Sequence, residues 1–386
     1  MAKLRIGIVG CGDVAHRFYL PPLVTLADRV EMVGISDPRI AAAERAADVV
    51  RPTSPDVRAF DSLGDLLAQA RPDGVFNLTP PPLHAQINRQ ILESGVSLYS
   101  EKPVASTLAE ADELIDLARS RGLMFLCAPA PAVTARIRWL RSIVDAGLLG
   151  RPTLVTAQCA TMGPASWREY TGDPTVFYGP QVGPVRDLGV YRLHEMIALL
   201  GPVRRIAAMG SIAMPDRLLM AGSRSGETIK VTSPDHMLLN LEFAGGALGQ
   251  LMTSFAVPGT RAPYMELQFS AGSISLSGDG WGTEDQADVF AFDPNPVPGS
   301  AIRDGSAIFD VPADAGGWRR GAAPPGPKDP WSVVSMGPLH FVACLLGEEK
   351  PLLTAEQARH VLEIVLAAYR SIDDGGRQEL STSFAG

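Results

Sequence analysis

The sequence has few of the residues that build disulfide frameworks, metal centres or membrane spans. Only four cysteines occur among its 386 residues, and Cys11, Cys127, Cys159 and Cys344 form no Cys-x-x-Cys pair and no Cys/His cluster. This scatter excludes a disulfide scaffold and a zinc site, so we expect no metal. No apolar run approaches the length of a membrane span, and the chain begins without a signal peptide, so we expect a cytoplasmic protein that does not bind membranes.

Positive charge is also scarce. The chain has 34 Lys and Arg residues against 42 Asp and Glu, a net charge of −8, and no basic stripe, so nucleic acid is not an expected partner. Apolar residues make up 46% and charged residues 20%, which is typical of a globular protein. A chain of 386 residues exceeds what one core ordinarily holds, so we predict two domains.

A glycine-rich turn follows the first apolar run of the chain. It reads Gly10-x-Gly12-x-x-Ala15, and Asp37 stands 22 positions beyond Ala15 at the end of a second apolar run. Gly10 allows a tight turn from strand to helix, Gly12 lets the backbone approach a pyrophosphate, and Ala15 lets the helix lie close to the sheet. The helix N-terminus then offers N–H groups and a partial positive charge to phosphates, which predicts a dinucleotide site.

Asp37 is the candidate for binding the adenosine ribose, because its carboxylate can accept hydrogen bonds from ribose hydroxyls. A carboxylate would repel a 2′-phosphate, so Asp37 favours NAD, whereas Arg39 could accommodate that phosphate and leaves NADP open. Asp13 and Val14, at the predicted helix start, complete these cofactor candidates. Asp37 and Pro38 also look like the N-cap and the first residue of an Ala-rich helix.

The chain changes its pattern near residue 128. Strand-like and helix-like runs alternate before that point, which predicts a parallel sheet with helices on both faces. Later runs, from 153–159 to 273–276, are spaced as in an antiparallel sheet, and a helix over 190–200 interrupts them. Residues 278–330, rich in Gly, Pro and Asp, predict a long functional or interface-forming loop. We therefore predict an α/β protein with domains 1–128 and 129–386 and a closing helix over 354–371.

Two strand ends carry candidate ligand-binding residues, since open α/β sheets place ligands at the carboxyl ends of their strands. After the first of these strands, Thr79 and Pro80 are cofactor candidates and His84 opens the next helix. The alternative is that the prolines only start a helix and His84 caps a loop.

The second strand end reads Glu101-Lys102-Pro103. Lys102 would point into the crevice where a nicotinamide lies, and its ammonium could bind a substrate oxygen and help that oxygen lose a proton. The alternative is a surface Lys-Pro turn. The sequence leaves open whether the peptide bond before Pro103 is cis.

A polar stripe is predicted on the helix near residue 190. Asp187 and Tyr191 are four residues apart, and His194 follows Tyr191 by three, so a regular helix would align them. A carboxylate, a phenol and an imidazole in one stripe suit a proton-handling site. The alternatives are an exposed polar face and, for His194, a structural histidine.

Aromatic residues cluster just before that helix. Trp167, Arg168, Tyr170 and Tyr178 lie in a Gly/Pro-rich stretch, where rings and a guanidinium suit sugar recognition. They equally suit a loop anchored by its own aromatic residues.

Taken together, these motifs resemble those of the Gfo/Idh/MocA oxidoreductases over nearly the whole chain. The resemblance rests on Gly10-x-Gly12-x-x-Ala15, Asp37, Thr79-Pro80-x-x-x-His84, Glu101-Lys102-Pro103 and Asp187-x-Gly189-x-Tyr191. It implies an N-terminal Rossmann domain followed by an α/β domain with an open, mostly antiparallel sheet. It also implies an NAD(P)-dependent oxidoreductase that acts on a sugar, glycoside or cyclitol, and a homodimer or homotetramer formed through the C-terminal sheet.

The resemblance also assigns roles to residues. Lys102 matches the catalytic lysine of the family and Asp187 the acidic residue that orients the substrate. Tyr191 stands where many members have a general-base histidine, and His194 could take the base role instead. Glu101 and His84 match motif residues beside the cofactor.

Two other functions stay open on this fold. Some relatives oxidise a sugar transiently in order to cleave a glycosidic bond. Another relative is a sensor without the catalytic lysine, and the presence of Lys102 and Asp187 disfavours that role here.

Overall fold

A computed structural model describes residues 3–168, 172–222, 224–278, 280–281, 286–291, 301–302, 317–322 and 331–384. The chain forms two compact units. The first comprises Met1–Val133 with Trp331–Leu362, and the second Thr134–Pro330 with Glu363–Gly386. The domain ranges 1–128 and 129–386 stay a prediction; the compact units differ from them mainly because Trp331–Leu362 lies with the first unit.

The first unit is built on six parallel strands. Its elements up to residue 133 are β1 Leu4–Val9, α1 Leu20–Val24, β2 Val30–Ser36, α2 Ile40–Val50, β3 Arg58–Phe60, α3 Leu63–Asp65, β4 Gly74–Asn77, α4 His84–Glu93, β5 Ser97–Ser100, α5 Leu108–Ser120 and β6 Phe125–Cys127. The strand order is β3-β2-β1-β4-β5-β6, and every pair is parallel. This is the doubly wound order of dinucleotide-binding sheets, whose direction of winding reverses between β1 and β4. The predicted Rossmann domain is confirmed.

The sheet is held by an aromatic cluster beside it. Tyr19, Phe76, Tyr99 and Phe341 are fully buried, and their ring centroids lie 5.2 to 6.1 Å apart in tilted or edge-to-face pairs. Such pairs add about 0.5–1.5 kcal/mol each beyond the area they bury. The cluster therefore packs the later helix that carries Phe341 against β4 and β5 of the same unit.

The N-cap predicted at Asp37 is wrong. Helix α2 begins at Ile40 and follows Arg39, while the Asp37 carboxylate accepts hydrogen bonds from the backbone N–H groups of Cys11 and Arg39. Asp37 thus ties the end of β2 to the turn after β1. The chain must pass two more residues before helical hydrogen bonding starts.

The second unit contains a mixed sheet, and most of its strand pairs are antiparallel. The remaining elements of both units, in chain order, are α6 Ala135–Asp145, β7 Pro152–Ala160, α7 Val190–Leu200, β8 Val203–Ser211, β9 Asp216–Leu218, β10 Thr228–Lys230, β11 His236–Phe243, β12 Leu248–Ser254, β13 Met265–Phe269, β14 Gly272–Leu276, β15 Gln286–Ala291, β16 Ala301–Ile302, β17 Gly317–Ala322, α8 Met336–Leu345, α9 Ala355–Asp374 and β18 Gln378–Glu379. Of these, α8 lies in the first unit. Ten of these strands form one sheet in the order β16-β17-β15-β14-β13-β7-β12-β11-β8-β18, and β9 with β10 forms a hairpin. Within the main sheet β7 and β12 are parallel, and the other pairs of neighbouring strands are antiparallel. The predicted α/β fold with a mostly antiparallel second sheet is therefore confirmed.

The long loop predicted over 278–330 is wrong where the structure describes that stretch. Strands β15, β16 and β17 extend the sheet beyond β14 in antiparallel register. Backbone hydrogen bonds with neighbouring strands supply the order that composition did not indicate.

No helix among the described residues is both long enough and apolar enough to span a bilayer. The cytoplasmic location stays a prediction.

Candidate active site

The turn after β1 has the geometry that its glycines predict. Gly10 has a φ of +93°, and a Cβ there would lie 2.7 Å from the backbone of Leu78, at the end of β4. A Cβ at Gly12 would meet no atom within 4 Å. Gly10 is therefore required for the close approach of two strand ends, and Gly12 leaves its backbone open to a ligand. These features fit the pyrophosphate of a dinucleotide at the switch point of the sheet.

Asp37 is buried beside this turn, with 6% of its surface exposed. Its Oδ2 accepts from the backbone N–H of Cys11 at 3.0 Å, and its Oδ1 from that of Arg39 at 2.9 Å. A carboxylate has about four acceptor positions, so these bonds orient the group and leave room for a ribose hydroxyl. The Arg39 side chain is 75% exposed, and its Nε lies 3.4 Å from Asp37 Oδ1.

Asp13 and Val14, the next candidates in the turn, are at least partly exposed. Asp13 pairs with Arg17 one helical turn on, at 3.2 Å, and Val14 is 37% exposed. Their contact with a cofactor stays a prediction. Burial, and then the Asp37 carboxylate, raise the pKa of the Cys11 thiol to about 12, which fits a small structural residue and not a redox group.

A buried polar network joins the ends of β4 and β5. Asn77 Oδ1 accepts from Thr79 Oγ1 at 2.6 Å, and Asn77 Nδ2 donates to Asn88 Oδ1 at 2.8 Å. Asn88 in turn donates to Ser100 Oγ and to the carbonyl of Val104, both at 3.1 Å. The sequence analysis missed both asparagines, although an Asn at the end of a buried strand was visible. The network fixes the loops that carry the predicted site residues.

His84 is fully buried and bridges the same two loops. Its Nε2 lies 2.7 Å from the Thr79 carbonyl oxygen and its Nδ1 2.7 Å from the Pro103 carbonyl oxygen. Each contact is a hydrogen bond when that nitrogen carries a proton. His84 therefore holds the backbone around Lys102, and direct contact of His84 or the exposed Pro80 with a cofactor stays a prediction.

The Glu101-Lys102-Pro103 segment is held from several sides. Tyr19 donates to Glu101 Oε1 at 2.6 Å, and the Lys102 backbone N–H donates to Glu101 Oε2 at 3.1 Å. The Lys102–Pro103 peptide bond is cis. The Glu101 carboxylate is thus engaged with protein groups, and all three residues are only partly exposed. This segment lies at the carboxyl edge of the sheet, next to the end of β4, as predicted.

In the second unit, the polar stripe is buried and not an exposed face. Asp187, Tyr191 and His194 are 8%, 9% and 4% exposed, so the alternative of a solvated polar face is wrong. Asp187 lies in a π-helical turn, Val185–Gly189, that leads directly into α7. This turn changes the regular four-residue spacing to Tyr191 that we predicted. Such π-helical turns occur often at functional sites.

Charged and aromatic residues that the sequence analysis did not select surround Tyr191. Arg192 and Glu195 form an ion pair at 2.7 Å with 1% and 2% of their side chains exposed, and the Trp281 ring packs on Tyr191 edge to face. Burial raises the pKa of Glu195, although Arg192 and Arg136 oppose that shift. The i, i+3 spacing of opposite charges gave a signal for the pair, but nothing in the sequence indicated its burial.

One aromatic residue of the loop before α7, Tyr178, is anchored in the protein. Tyr178 is 1% exposed, its ring packs on Phe255, and its hydroxyl accepts from the Ala165 N–H at 3.0 Å. This arrangement fits the alternative of a self-anchored loop. Trp167 is 37% exposed and Arg168 is exposed, while Tyr170 lies outside the described residues. Substrate binding by these four residues stays a prediction.

The structure thus assembles two groups of candidate residues. The first unit joins Asp37 to the glycine turn and His84 to the Lys102 loop. The second unit places Asp187, Tyr191 and His194 on one continuous helical segment. A shared active site of the two groups stays a prediction.

Comparison with known proteins agrees with this geometry. Residues 4–128 match the sequence profile of the Gfo/Idh/MocA "oxidoreductase family, NAD-binding Rossmann fold", and residues 137–275 match the profile of a C-terminal domain of the same family. A D-glucoside 3-dehydrogenase of Escherichia coli K12 is 25% identical over 271 residues, which cover 69% of this chain and 75% of that protein.

A dTDP-3,4-didehydro-2,6-dideoxy-alpha-D-glucose 3-reductase of Streptomyces violaceoruber is 31% identical over 209 residues, which cover 53% of this chain and 56% of the reductase. The chain spans about half the length of the first curated relatives it matches, 54% and 56%. A WlbA dehydrogenase from Bordetella pertussis, solved with NADH and UDP-GlcNAcA, has the same fold, with a TM-score of 0.72 at 20% identity over 99% of this chain and 100% of that one.

Proposed function

Because this chain belongs to the Gfo/Idh/MocA family of NAD-binding oxidoreductases, we propose that it oxidises or reduces a sugar derivative at one CH–OH carbon. The observation that carries the proposal is the glycine turn with the oriented Asp37 carboxylate, next to the loop that presents Lys102. The D-glucoside 3-dehydrogenase and the 3-reductase named above both act at position 3, so we place the reacting carbon at position 3 of a pyranose. Glycosides and sugar nucleotides are the first substrates to test, and cyclitols follow.

A dinucleotide bound at the glycine turn would supply the acceptor or donor of a hydride. The backbone at Gly12 and the Asp37 carboxylate would hold its pyrophosphate and its ribose. The Lys102 ammonium would bind the reacting oxygen and stabilise the negative charge that develops there. A tyrosine has an ordinary pKa of about 10, so Tyr191 needs a nearby cation in order to accept the hydroxyl proton. Asp187 would hold a neighbouring hydroxyl, and His194 is the alternative base.

A substrate panel tests the proposed function. Alkyl glycosides, sugar nucleotides and inositols are incubated with NAD, with NADP in parallel, and NADH is followed by its absorbance. We expect NADH formation with at least one pyranose derivative. Release of free aglycone without net NADH would instead support glycoside cleavage through transient oxidation. Binding of sugar with neither product would support a sensor.

Asp37 should decide the choice between NAD and NADP. An Asp37→Asn variant keeps the shape of the side chain but loses the charge that accepts from a ribose. We expect its Kd for NAD to rise about tenfold or more, because hydrogen bonds to charged groups contribute about 1.5–3 kcal/mol. Its Kd for NADP should change less, since the repulsion of the 2′-phosphate is also removed. Fluorescence titration with both reduced cofactors measures the two constants, and equal losses would argue against the ribose contact.

We also propose that the C-terminal sheet forms a homodimer or homotetramer interface. Strand register puts four exposed apolar side chains on one face of β7, β12, β11 and β8: Leu154, Leu248, Leu238 and Met209, which are 38%, 56%, 39% and 77% exposed. They form two cross-strand pairs, Leu154 with Leu248 and Leu238 with Met209, and exposed apolar groups on one face often mark association surfaces. Light scattering should therefore give a mass of two or four times 41.0 kDa, and a Met209→Lys, Leu238→Lys variant should shift toward one chain. A single-chain mass for the wild type would contradict this assembly.

A further inference from the structure

The turn after β14 is clamped to helix α7 by one arginine. Arg192 Nη2 donates to the Gly280 carbonyl oxygen at 2.8 Å, across 88 residues of sequence. Gly280 has a φ of +71°, and a Cβ there would overlap the Arg192 guanidinium. The turn and the guanidinium therefore fit each other closely, and only glycine suits this position.

Arg192 is itself buried and contacts an acidic group and two aromatic rings. Its Nη1 pairs with Glu195 at 2.7 Å, and its guanidinium carbon lies 4.5 Å from the centroid of the Tyr264 ring and 5.6 Å from that of Trp281. With 1% of its surface exposed, Arg192 cannot bind a ligand directly. Its planar fork is suited to hold two acceptors at once. Arg192 instead fixes the backbone of Gly280, the residue directly before Trp281.

Trp281 is the side chain that this clamp places. Its ring packs on the Tyr191 ring edge to face, with centroids 4.7 Å apart and planes at 70°. Trp281 packs against an apolar cluster that includes Tyr178, Leu188 and Phe255, and the residue is partly exposed. An aromatic ring thus stands, partly exposed, directly beside the proposed base.

We propose that Trp281 is a binding wall for the pyranose ring of the substrate and that Arg192 is the residue that positions it. This inference rests on the proposed function, in which Tyr191 takes the hydroxyl proton. A pyranose ring presents C–H groups on its faces, and an indole covers that apolar surface with little loss of side-chain freedom. The wall would select ring-closed sugars and hold the reacting carbon near Tyr191.

Three variants at position 281 separate a binding wall from simple packing. Trp281→Phe keeps a flat ring, Trp281→Leu keeps apolar bulk without one, and Trp281→Ala removes both. With the best pyranose substrate of the panel, we expect KM to rise about tenfold or more in the Leu and Ala variants and to stay within about threefold in the Phe variant. The value of kcat should change less than KM, because the wall binds the ground state and the transition state alike. NADH titration confirms that each variant still binds cofactor.

Two further experiments test the contact of Trp281 with the sugar and the positioning of Trp281 by Arg192. Sugar binding to the NAD-loaded wild type should change its tryptophan emission, and that change should be lost in Trp281→Phe although sugar still binds. The Arg192→Lys variant keeps a positive charge next to Glu195, but an ammonium cannot bind two acceptors in the planar arrangement of a guanidinium. We expect this variant to raise KM by a factor similar to that of Trp281→Leu. Combined with Trp281→Leu, it should add little more, since both changes remove the same contact.

The outcomes distinguish this inference from the function on which it rests. If the wild type neither oxidises a pyranose derivative with NAD or NADP nor reduces the corresponding keto sugar with NADH or NADPH, the proposed function fails. If the wild type is active but Trp281→Leu keeps the wild-type KM, or Phe and Leu raise KM equally, the wall is overturned and the function stands. A tryptophan emission change that persists in Trp281→Phe also overturns the wall.

Discussion

Replacing Lys102 by methionine should abolish most turnover and leave NAD binding unchanged. Methionine keeps the length of the side chain but has no charge with which to stabilise a developing alkoxide. Loss of such a group typically lowers kcat by about a hundredfold to a thousandfold. NADH binding should hold, because the glycine turn and Asp37, which would hold the pyrophosphate and the ribose, follow β1 and β2, whereas Lys102 follows β5.

Lys230 provides the matched control for this experiment. Its side chain is 78% exposed on the β9–β10 hairpin, where it pairs with Asp216 at 2.6 Å. A Lys230→Met variant loses the same charge, and we expect kcat within about twofold of the wild type, since surface pairs contribute little. Steady-state kinetics and NADH titration are measured on both variants. Equal turnover of Lys102→Met and wild type would contradict the role of Lys102.

Replacing Arg192 by methionine should destabilise the protein strongly. The substitution leaves the Glu195 carboxylate buried without its partner, and breaking a buried ion pair in this way costs about 3–5 kcal/mol. The exposed pair of Arg119 and Asp116 has the same i, i+3 spacing, with side chains 65% and 74% exposed. Arg119→Met should change the free energy of unfolding by about 0.5 kcal/mol or less. Urea unfolding compares the two variants, and similar losses would contradict the buried-pair argument.

The buried pair of Arg192 and Glu195 also predicts how the stability loss of the Arg192→Met variant changes with pH. Burial raises the pKa of Glu195 above its ordinary value of 4.5 in the folded protein. A raised folded-state pKa means that protonation favours the folded state, and this stabilisation is full below the ordinary pKa and is lost as pH rises through the raised value. Without the Arg192 charge, the pKa of Glu195 should rise further. The Arg192→Met variant should therefore lose less stability relative to wild type at pH 5 than at pH 8, measured by the same unfolding experiment.

Local patterns were sufficient for most elements of the fold. Helix α7 has the predicted bounds of 190–200, because a 3.6-residue apolar period depends on neighbours in sequence. The predicted cap at Asp37 failed because its carboxylate accepts from the N–H of Cys11, which is 26 residues away in sequence, and from the N–H of Arg39. Strands β15 to β17 were missed because a stretch rich in Gly, Pro and Asp has little intrinsic strand preference. Their order comes from pairing, in which β15 pairs with β14, β17 with β15 and β16 with β17.

The same distinction between local patterns and distant contacts applies to the residues of the candidate site. The positions of Gly10, Asp37 and Lys102 were predictable because each follows a strand of the first sheet, and their roles stay predictions. The neighbours of Tyr191 were not, because the contact of Arg192 with Gly280 joins residues that are 88 apart. Burial of a charged side chain depends on such distant partners. The same limit applies to Tyr178, whose aromatic ring fits a sugar contact or a core equally well until its 1% exposure is known.

Isotope transfer tests the central claim most directly. A pyranose substrate that carries deuterium at position 3 is incubated with NAD and the wild-type protein, and the mass of the NADH formed is measured. We expect NADH that is heavier by one deuterium, and almost none from Lys102→Met or Tyr191→Phe. NADH without deuterium would contradict the proposed carbon. Unchanged transfer in both variants would contradict the active site proposed here.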